Sequence, residues 1–159
     1  MTVVAITPEN ISSLLPAILV IERESFVSPW SRETFLQEVR NPASNFWGVI
    51  EEKTLTGYIC FWIVHREIHL LNVAVRPEKR GRGVARLLLT EMVQAGLSQG
   101  IEQIWLEVRP SNHRAQKIYE RMGFETVGRR VRYYRDTNED AILMTLNLPA
   151  GRACCKQVC

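Results

Sequence analysis

The stretch "RPEKRGRGVARLLL", residues 76–89, sets five basic side chains, Arg76, Lys79, Arg80, Arg82 and Arg86, around Gly81 and Gly83 and ahead of a leucine run. A solvated basic turn explains the charge but leaves the glycines without a reason. An anion that comes close to the main chain explains both. Glycines let amide N–H groups reach it with no side chain intervening, and the start of a helix adds unpaired N–H groups and the positive end of its dipole. A dinucleotide fingerprint would need a third small residue where Arg86 stands, and a P-loop would need Gly-Lys followed by Ser or Thr, which is absent. What remains is Arg-x-x-Gly-x-Ala, with Arg80, Gly83 and Ala85 in the defining places.

The elements that must position this loop follow from hydrophobic spacing. "TPENISSLLPAILVIERESF" has helical spacing at Ile11, Leu14, Leu15, Ile18 and Leu19, with Thr7 placed to cap ahead of Pro8. "SRETFLQEV" is a second short helix with Ser31 as N-cap, and "VSPWS" between them is a loop by its proline. "FWGVIEE", "LTGYICFWIVHR" and "EIHLLNVAV" read as an antiparallel meander of strands. A helix then runs from about Val84 to Leu97 on a stripe of Val84, Leu87, Leu88, Met92 and Ala95, with Gly100 ending it. "EQIWLEVR" is the next strand. "NHRAQKIYERMG" is the next helix, with Ala115, Ile118, Tyr119 and Met122 on one face and Gly123 as its C-cap. "FETVGRRVRYY" and "EDAILMTLNL" form a last hairpin around "RDTN". The expected order is α-α-β-β-β-α-β-α-β-β, an α/β chain in which the central strand, helix, strand unit puts a parallel pair inside a mixed sheet.

"LNVAVRPEKRGRGVARLLL" resembles the strand, loop and helix with which the GCN5-related N-acetyltransferases (GNAT) bind the pyrophosphate of acetyl-coenzyme A. "RPSNHRAQKIYERMGF" resembles their Asn-x-x-Ala-x-x-x-Tyr-x-x-x-Gly-Phe segment. "VSPWS", "WLEVRPSN" and "GRRVRYYRDTNEDAILM" further resemble the bacterial ribosomal-protein-alanine N-acetyltransferases, which acetylate the N-terminal alanine of small-subunit ribosomal protein 18. The similarity covers about residues 5–148, and Arg135 stands where a proline is usual after the Tyr-Tyr pair. The resemblance implies a single GNAT domain over residues 1–149, with a mostly antiparallel sheet, a central parallel pair splayed to hold acetyl-coenzyme A, about four helices, and a Cys-containing tail at 150–159. It implies main-chain contacts to the cofactor from Val73, Ala74 and Val75 and from Arg80, Gly81, Arg82, Gly83, Val84, Ala85 and Arg86, with the Val73 N–H polarising the acetyl carbonyl. Asn112 matches the family's cofactor-contacting asparagine, and serves equally as an N-cap for the helix that follows.

Direct transfer asks for a base to take the amine proton and an acid to protonate the departing thiolate. By the resemblance Glu107 is the base and Tyr119 the acid; read without it, Glu107 is a strand carboxylate paired with an arginine and Tyr119 a core aromatic. Acceptor choice is a matter of magnitude. At neutral pH a lysine amine of pKa about 10.4 costs roughly 4 kcal/mol to deprotonate, whereas an α-amine near 7.7–8.0 costs less than about 1 kcal/mol. The lighter demand permits an α-amine acceptor, and by the resemblance the expected reaction is acetylation of the N-terminal alanine of small-subunit ribosomal protein 18 by direct attack in a ternary complex, with another N-terminus or a lysine as the alternative. A non-catalytic acyl-coenzyme A binder is a rival. So is an rRNA-binding module using Arg129, Arg130, Arg132 and Arg135 beside Tyr133 and Tyr134.

The whole-chain balance bounds these readings. Twenty basic against 17 acidic side chains give a net charge of +3, too balanced to mark a nucleic-acid binder. No apolar run has the length of a membrane span, and the start "MTVVAITPEN" lacks a signal peptide's basic region, so a cytoplasmic protein without membrane or direct nucleic-acid contact is expected, as a monomer. Cys60 stands alone while Cys154, Cys155 and Cys159 crowd the tail. That pattern fits neither a disulfide framework nor a zinc site, and no metal is expected.

Overall fold

A computed structural model describes residues 1–149, so Cys154, Cys155 and Cys159 lie outside the described residues. The elements are β1 (Thr2–Ala5), α1 (Ile11–Ser25), α2 (Arg32–Glu38), β2 (Ser44–Glu51), β3 (Thr54–Val64) and β4 (Glu67–Val75). A 3₁₀ turn (Pro77–Lys79) precedes α3 (Val84–Ser98), β5 (Gln103–Val108), α4 (His113–Arg121), β6 (Glu125–Tyr134) and β7 (Glu139–Asn147). The strands hydrogen-bond in the order β1-β2-β3-β4-β5-β7-β6. The sheet is mixed, with β4 and β5 parallel and β1–β2, β2–β3, β5–β7 and β6–β7 antiparallel. This is the α/β architecture expected from the sequence, with one strand more. The four residues "TVVA" carry too little alternation to register as a strand, yet they pair with β2 from Thr2↔Ile50 to Ala5↔Trp47.

The chain divides into two compact units, Met1–Trp62 with Leu71–Met92, and Ile63–Leu70 with Val93 onward. In the first, Leu15, Ile18 and Ile21 of α1 are at most 1% exposed and pack in one cluster with Phe35, Phe46 and Tyr58. Phe35 stacks on Phe46 at 5.8 Å and meets Tyr58 edge-on at 5.7 Å, the offset geometries that aromatic quadrupoles favour. Helix α1 begins later than a Thr7 cap would place it. Asn10 precedes it and turns its side chain away from the helix, accepting from the Thr7 N–H at 2.8 Å and donating to the Ala5 carbonyl at 2.8 Å. Ser31 caps α2 as expected, accepting from the Thr34 N–H at 3.2 Å.

In the second unit, Ile68, Ile101, Ile104, Leu106, Phe124, Ala141, Ile142 and Met144 are buried. The parallel β4–β5 ladder spans three pairs, Glu67↔Gln103 to His69↔Trp105; β4 continues to Val75 and β5 to Val108. β5 is held on its other edge by β7 over its full length, Gln103↔Asn147 to Val108↔Ile142. β6 is exposed along nearly its whole length and is interrupted between Arg130 and Tyr134, where Val131, Arg132 and Tyr133 bulge out of the ladder. Among the described residues no helix is long and apolar enough to cross a membrane.

Candidate active site

The loop ahead of α3 belongs to the first unit. Gly81 and Gly83 have φ of +77° and +86°, and a Cβ at either would meet nothing within 4 Å. It is the left-handed backbone, not crowding, that demands glycine here. Arg82 between them is not left-handed, so φ alternates in sign, the condition under which successive amides converge on one concave side. Among the described residues no carbonyl or side chain accepts from the amides of residues 81–86, and the first paired amide is Leu87 N–H, bound to Gly83 C=O at 2.9 Å. α3 follows Gly83, which has no side chain to offer as a cap, and its first turn carries Arg86 and no acidic residue. A cation at the positive end of a helix is unfavourable until an anion arrives. This helix start fits a phosphate.

The five basic side chains divide their work. Arg76 donates to the Leu55 carbonyl at 2.6 Å, and Arg80 donates from Nε to the Val75 carbonyl at 3.0 Å and from Nη2 to Ser25 Oγ at 3.0 Å. Lys79 lies 3.7 Å from Glu51. These three brace the turn. Arg82 and Arg86 are exposed. Val73 is half-buried and Ala74 and Val75 are buried on β4, directly before the loop.

The candidate base and acid lie in the second unit. Glu107 stands opposite Leu143 on β7, and Arg130 stands opposite Ala141, so both side chains emerge on one face of the sheet. Arg130 Nη2 lies 3.7 Å from Glu107 Oε1, whose side chain is 30% exposed. The neighbouring Glu107 carboxylate first, then burial, raise the Tyr133 phenol above its ordinary value, against Arg130, which lowers it. The Arg130 guanidinium also lies over the Tyr133 ring at 5.4 Å. The arginine partner expected of a plain strand carboxylate is therefore present, but it comes with two tyrosines.

Tyr119 on α4 is 6% exposed, its ring 5.7 Å from Phe124. Burial, then the neighbouring Tyr134, pushes its phenol well above the ordinary range, so Tyr119 holds its proton through neutral pH. Tyr134 is pushed up to about 12, by burial first and by Glu107 second, against Arg109, which lowers it. Tyr134 thus couples electrostatically to both Glu107 and Tyr119. Arg109 lies 3.9 Å above the Tyr134 ring and forks onto Asp136 at 2.8 and 2.7 Å, which fixes the β6–β7 turn. The sequence singles out Tyr133, Tyr134 and Arg130 as parts of a basic hairpin and of the segment that carries the resemblance, without joining them to Glu107. The signal that would have joined them to Glu107 is strand register, which is set by a bulge that leaves no mark in the hydrophobic pattern. Arg129 in the same run sits 3.4 Å from Asp140, so two of the four arginines of a would-be RNA patch are already paired. Asn112 caps α4, accepting from the Ala115 N–H at 3.2 Å.

A family model described as the Acetyltransferase (GNAT) family matches residues 15–124. The chain is 35% identical over 143 residues to the ribosomal protein bS18-alanine N-acetyltransferase of Escherichia coli (strain K12), over 86% of this chain and 96% of that protein. The crystal structure of the ribosomal-protein-S18-alanine N-acetyltransferase from Escherichia coli superposes with a TM-score of 0.82 at 30% identity, covering 92% of each chain. The PaiA N-acetyltransferase of Thermoplasma acidophilum, solved with coenzyme A, shares the fold at a TM-score of 0.71 and 19% identity, over 93% of this chain and all of that one. The chain belongs to the GNAT family and is an N-acetyltransferase that takes acetyl-coenzyme A as its co-substrate.

Proposed function

We propose that the chain acetylates the N-terminal α-amine of a protein, with the N-terminal alanine of ribosomal protein bS18 as its substrate, acting as a monomer in the cytoplasm. The observation that carries the proposal is the cluster on β5 and β6. Glu107 is partly open and set beside an arginine and a tyrosine whose phenol it raises, as a residue that must accept a proton at a fixed place would be. The Escherichia coli relative, named for the alanine of bS18, supports the choice of substrate.

In this reading the amides of residues 81–86 hold the pyrophosphate, and Arg82 and Arg86 add charge beside it. The Val73 N–H polarises the acetyl carbonyl, and Ala74 and Val75 align the pantetheine arm through their main chain. Glu107 takes the proton from the attacking α-amine, while Arg130 and Tyr133 fix its orientation. Tyr119 returns a proton to the departing thiolate. Its raised pKa keeps it protonated for that step, and makes the transfer costlier by about 1.4 kcal/mol for each pH unit of the rise.

Incubating the chain with acetyl-coenzyme A and bS18, followed by intact-mass and fragment-ion analysis, tests the proposal. One acetyl group on the N-terminal alanine of the substrate is the expected product. Acetyl groups on lysine side chains alone would overturn the α-amine assignment, and an unmodified protein would overturn the substrate.

A further inference from the structure

One carboxylate in the first unit has no place in the chemistry above. Glu22 of α1 is 1% exposed, and among the described residues no lysine, arginine or histidine pairs with it. Its three partners are neutral donors from three separate segments. Oε1 accepts the backbone N–H of Trp30, in the loop between α1 and α2, at 2.9 Å. Oε2 accepts the hydroxyl of Tyr58 on β3 and, at 2.8 Å, the side-chain amide of Asn72 on β4. Tyr58 and Asn72 are 0% and 7% exposed, and Asn72 also reaches the Tyr58 hydroxyl at 3.5 Å.

Burying a carboxylate without a cation is a costly way to hold a fold together, since an apolar side chain of similar volume packs a core as well or better. What the carboxylate does that an apolar group cannot is accept from two directions at once. One direction is the loop that leads into α2. The other is the residue that immediately precedes Val73. Burial, then the charge of Glu22, drives the Tyr58 phenol far above its ordinary value, so Tyr58 remains the donor in this cluster.

We propose that Glu22 is a positioning residue for acetyl transfer, its one carboxylate tying the α1–α2 loop at Trp30 to β4 at Asn72 and so fixing where that loop and the Val73 amide stand. The inference rests on the reading that the chain acetylates an N-terminal amine. Glu22 is too buried to touch a substrate and acts through the groups it holds.

The test uses the full chain in two isosteric variants. Glu22→Gln keeps the volume but replaces one accepting oxygen by a donating amide, so it cannot satisfy both directions. Tyr58→Phe removes one hydroxyl and folds with its aromatic contacts intact. Coenzyme A affinity is measured by calorimetry, folded fraction by circular dichroism, and kcat and KM on an Ala-starting peptide. Glu22→Gln is expected to lower kcat per folded molecule about tenfold or more and to raise the peptide KM, with coenzyme A affinity unchanged. Tyr58→Phe is expected to lower kcat about threefold, and the two losses are expected not to multiply in the double variant, because they share one network. A purely structural role would reduce only thermal stability. Wild-type kcat and KM in folded Glu22→Gln overturn the proposal; where Glu22→Gln does not fold, wild-type kcat and KM in Asn72→Leu, which cuts the tie to β4, overturn it. An inactive wild type instead overturns the α-amine reading, and this inference with it.

Discussion

The start of α3 and the surroundings of Glu107 are built from different materials. The first is main chain: two left-handed glycines and, among the described residues, six amides without acceptors at the start of a helix that follows a glycine. The second is side chain: a carboxylate, an arginine and two tyrosines brought together across three strands by register. A main-chain site of this kind depends on residues that get out of the way, and glycine at fixed spacing is visible in a sequence. A side-chain site depends on which residues end up on one face, and that is decided by a bulge of three residues opposite Asp140. Substitutions should therefore act differently on the two. Changes in the loop should alter binding, and changes around Glu107 should alter turnover.

The largest effect is expected at Glu107. Glu107→Gln keeps the shape and removes the proton acceptor, so turnover on an Ala-starting peptide should fall by about 10²–10⁴-fold at neutral pH, while calorimetry shows unchanged coenzyme A affinity. The deficit should shrink as pH rises above about 8, where the free α-amine is already neutral; a lysine acceptor would recover only about two units higher. The wild type should keep its turnover across the same range. Tyr119 has its pKa raised, so it carries its proton at every pH below its ordinary value and beyond, and loses none of its acid function there. A variant as active as wild type at pH 7 would remove Glu107 from the chemistry and dissolve the contrast between the two regions.

Gly83 should show the opposite profile. At φ +86° a valine is strained by its backbone alone, by about 1–2 kcal/mol, and relief of that strain would turn the neighbouring amides out of their present arrangement. Gly83→Val should weaken coenzyme A about tenfold or more, with kcat at saturation changed far less. Gly100 offers the control, since it has φ +72°, equally open surroundings and no part in the loop. Gly100→Val should lose comparable thermal stability and keep its affinity. Equal affinity losses in both variants would mean that strain, not the anion site, accounts for the effect.

What the sequence makes legible follows the same division. Helices α2, α3 and α4, the meander and the parallel pair can be read because apolar spacing and caps such as Ser31 and Asn112 are local. Strand β1 cannot, being four residues whose only claim to a strand is its partner β2. Position in the loop assigns Arg80 to the anion site; that its Nε and Nη2 also hold the Val75 carbonyl and Ser25, a residue 55 positions away, is not legible in the sequence. The pairing of Arg130 and Tyr133 with Glu107, and the burial of Glu22 against Tyr58 and Asn72, rest on contacts that no local pattern encodes.

Asn112 is where main-chain and side-chain logic meet, and it should give the smallest effect and the finest distinction. Its Oδ1 is committed to the Ala115 N–H, so replacing it by alanine removes an N-cap worth about 1 kcal/mol. In a chain of this size that lowers Tm by about 2–4 °C. Serine caps a helix as well as asparagine does, so Asn112→Ser should restore Tm. It does not restore the side-chain amide, whose N–H groups are left over from capping on an exposed residue. If that amide donates to acetyl-coenzyme A, affinity should stay about two- to tenfold down in both variants, the worth of one hydrogen bond. Tm from a thermal melt and affinity from calorimetry, compared in the two variants, separate the roles. Recovery of both quantities in Asn112→Ser would make Asn112 a cap alone and leave cofactor binding to the loop ahead of α3 and to β4.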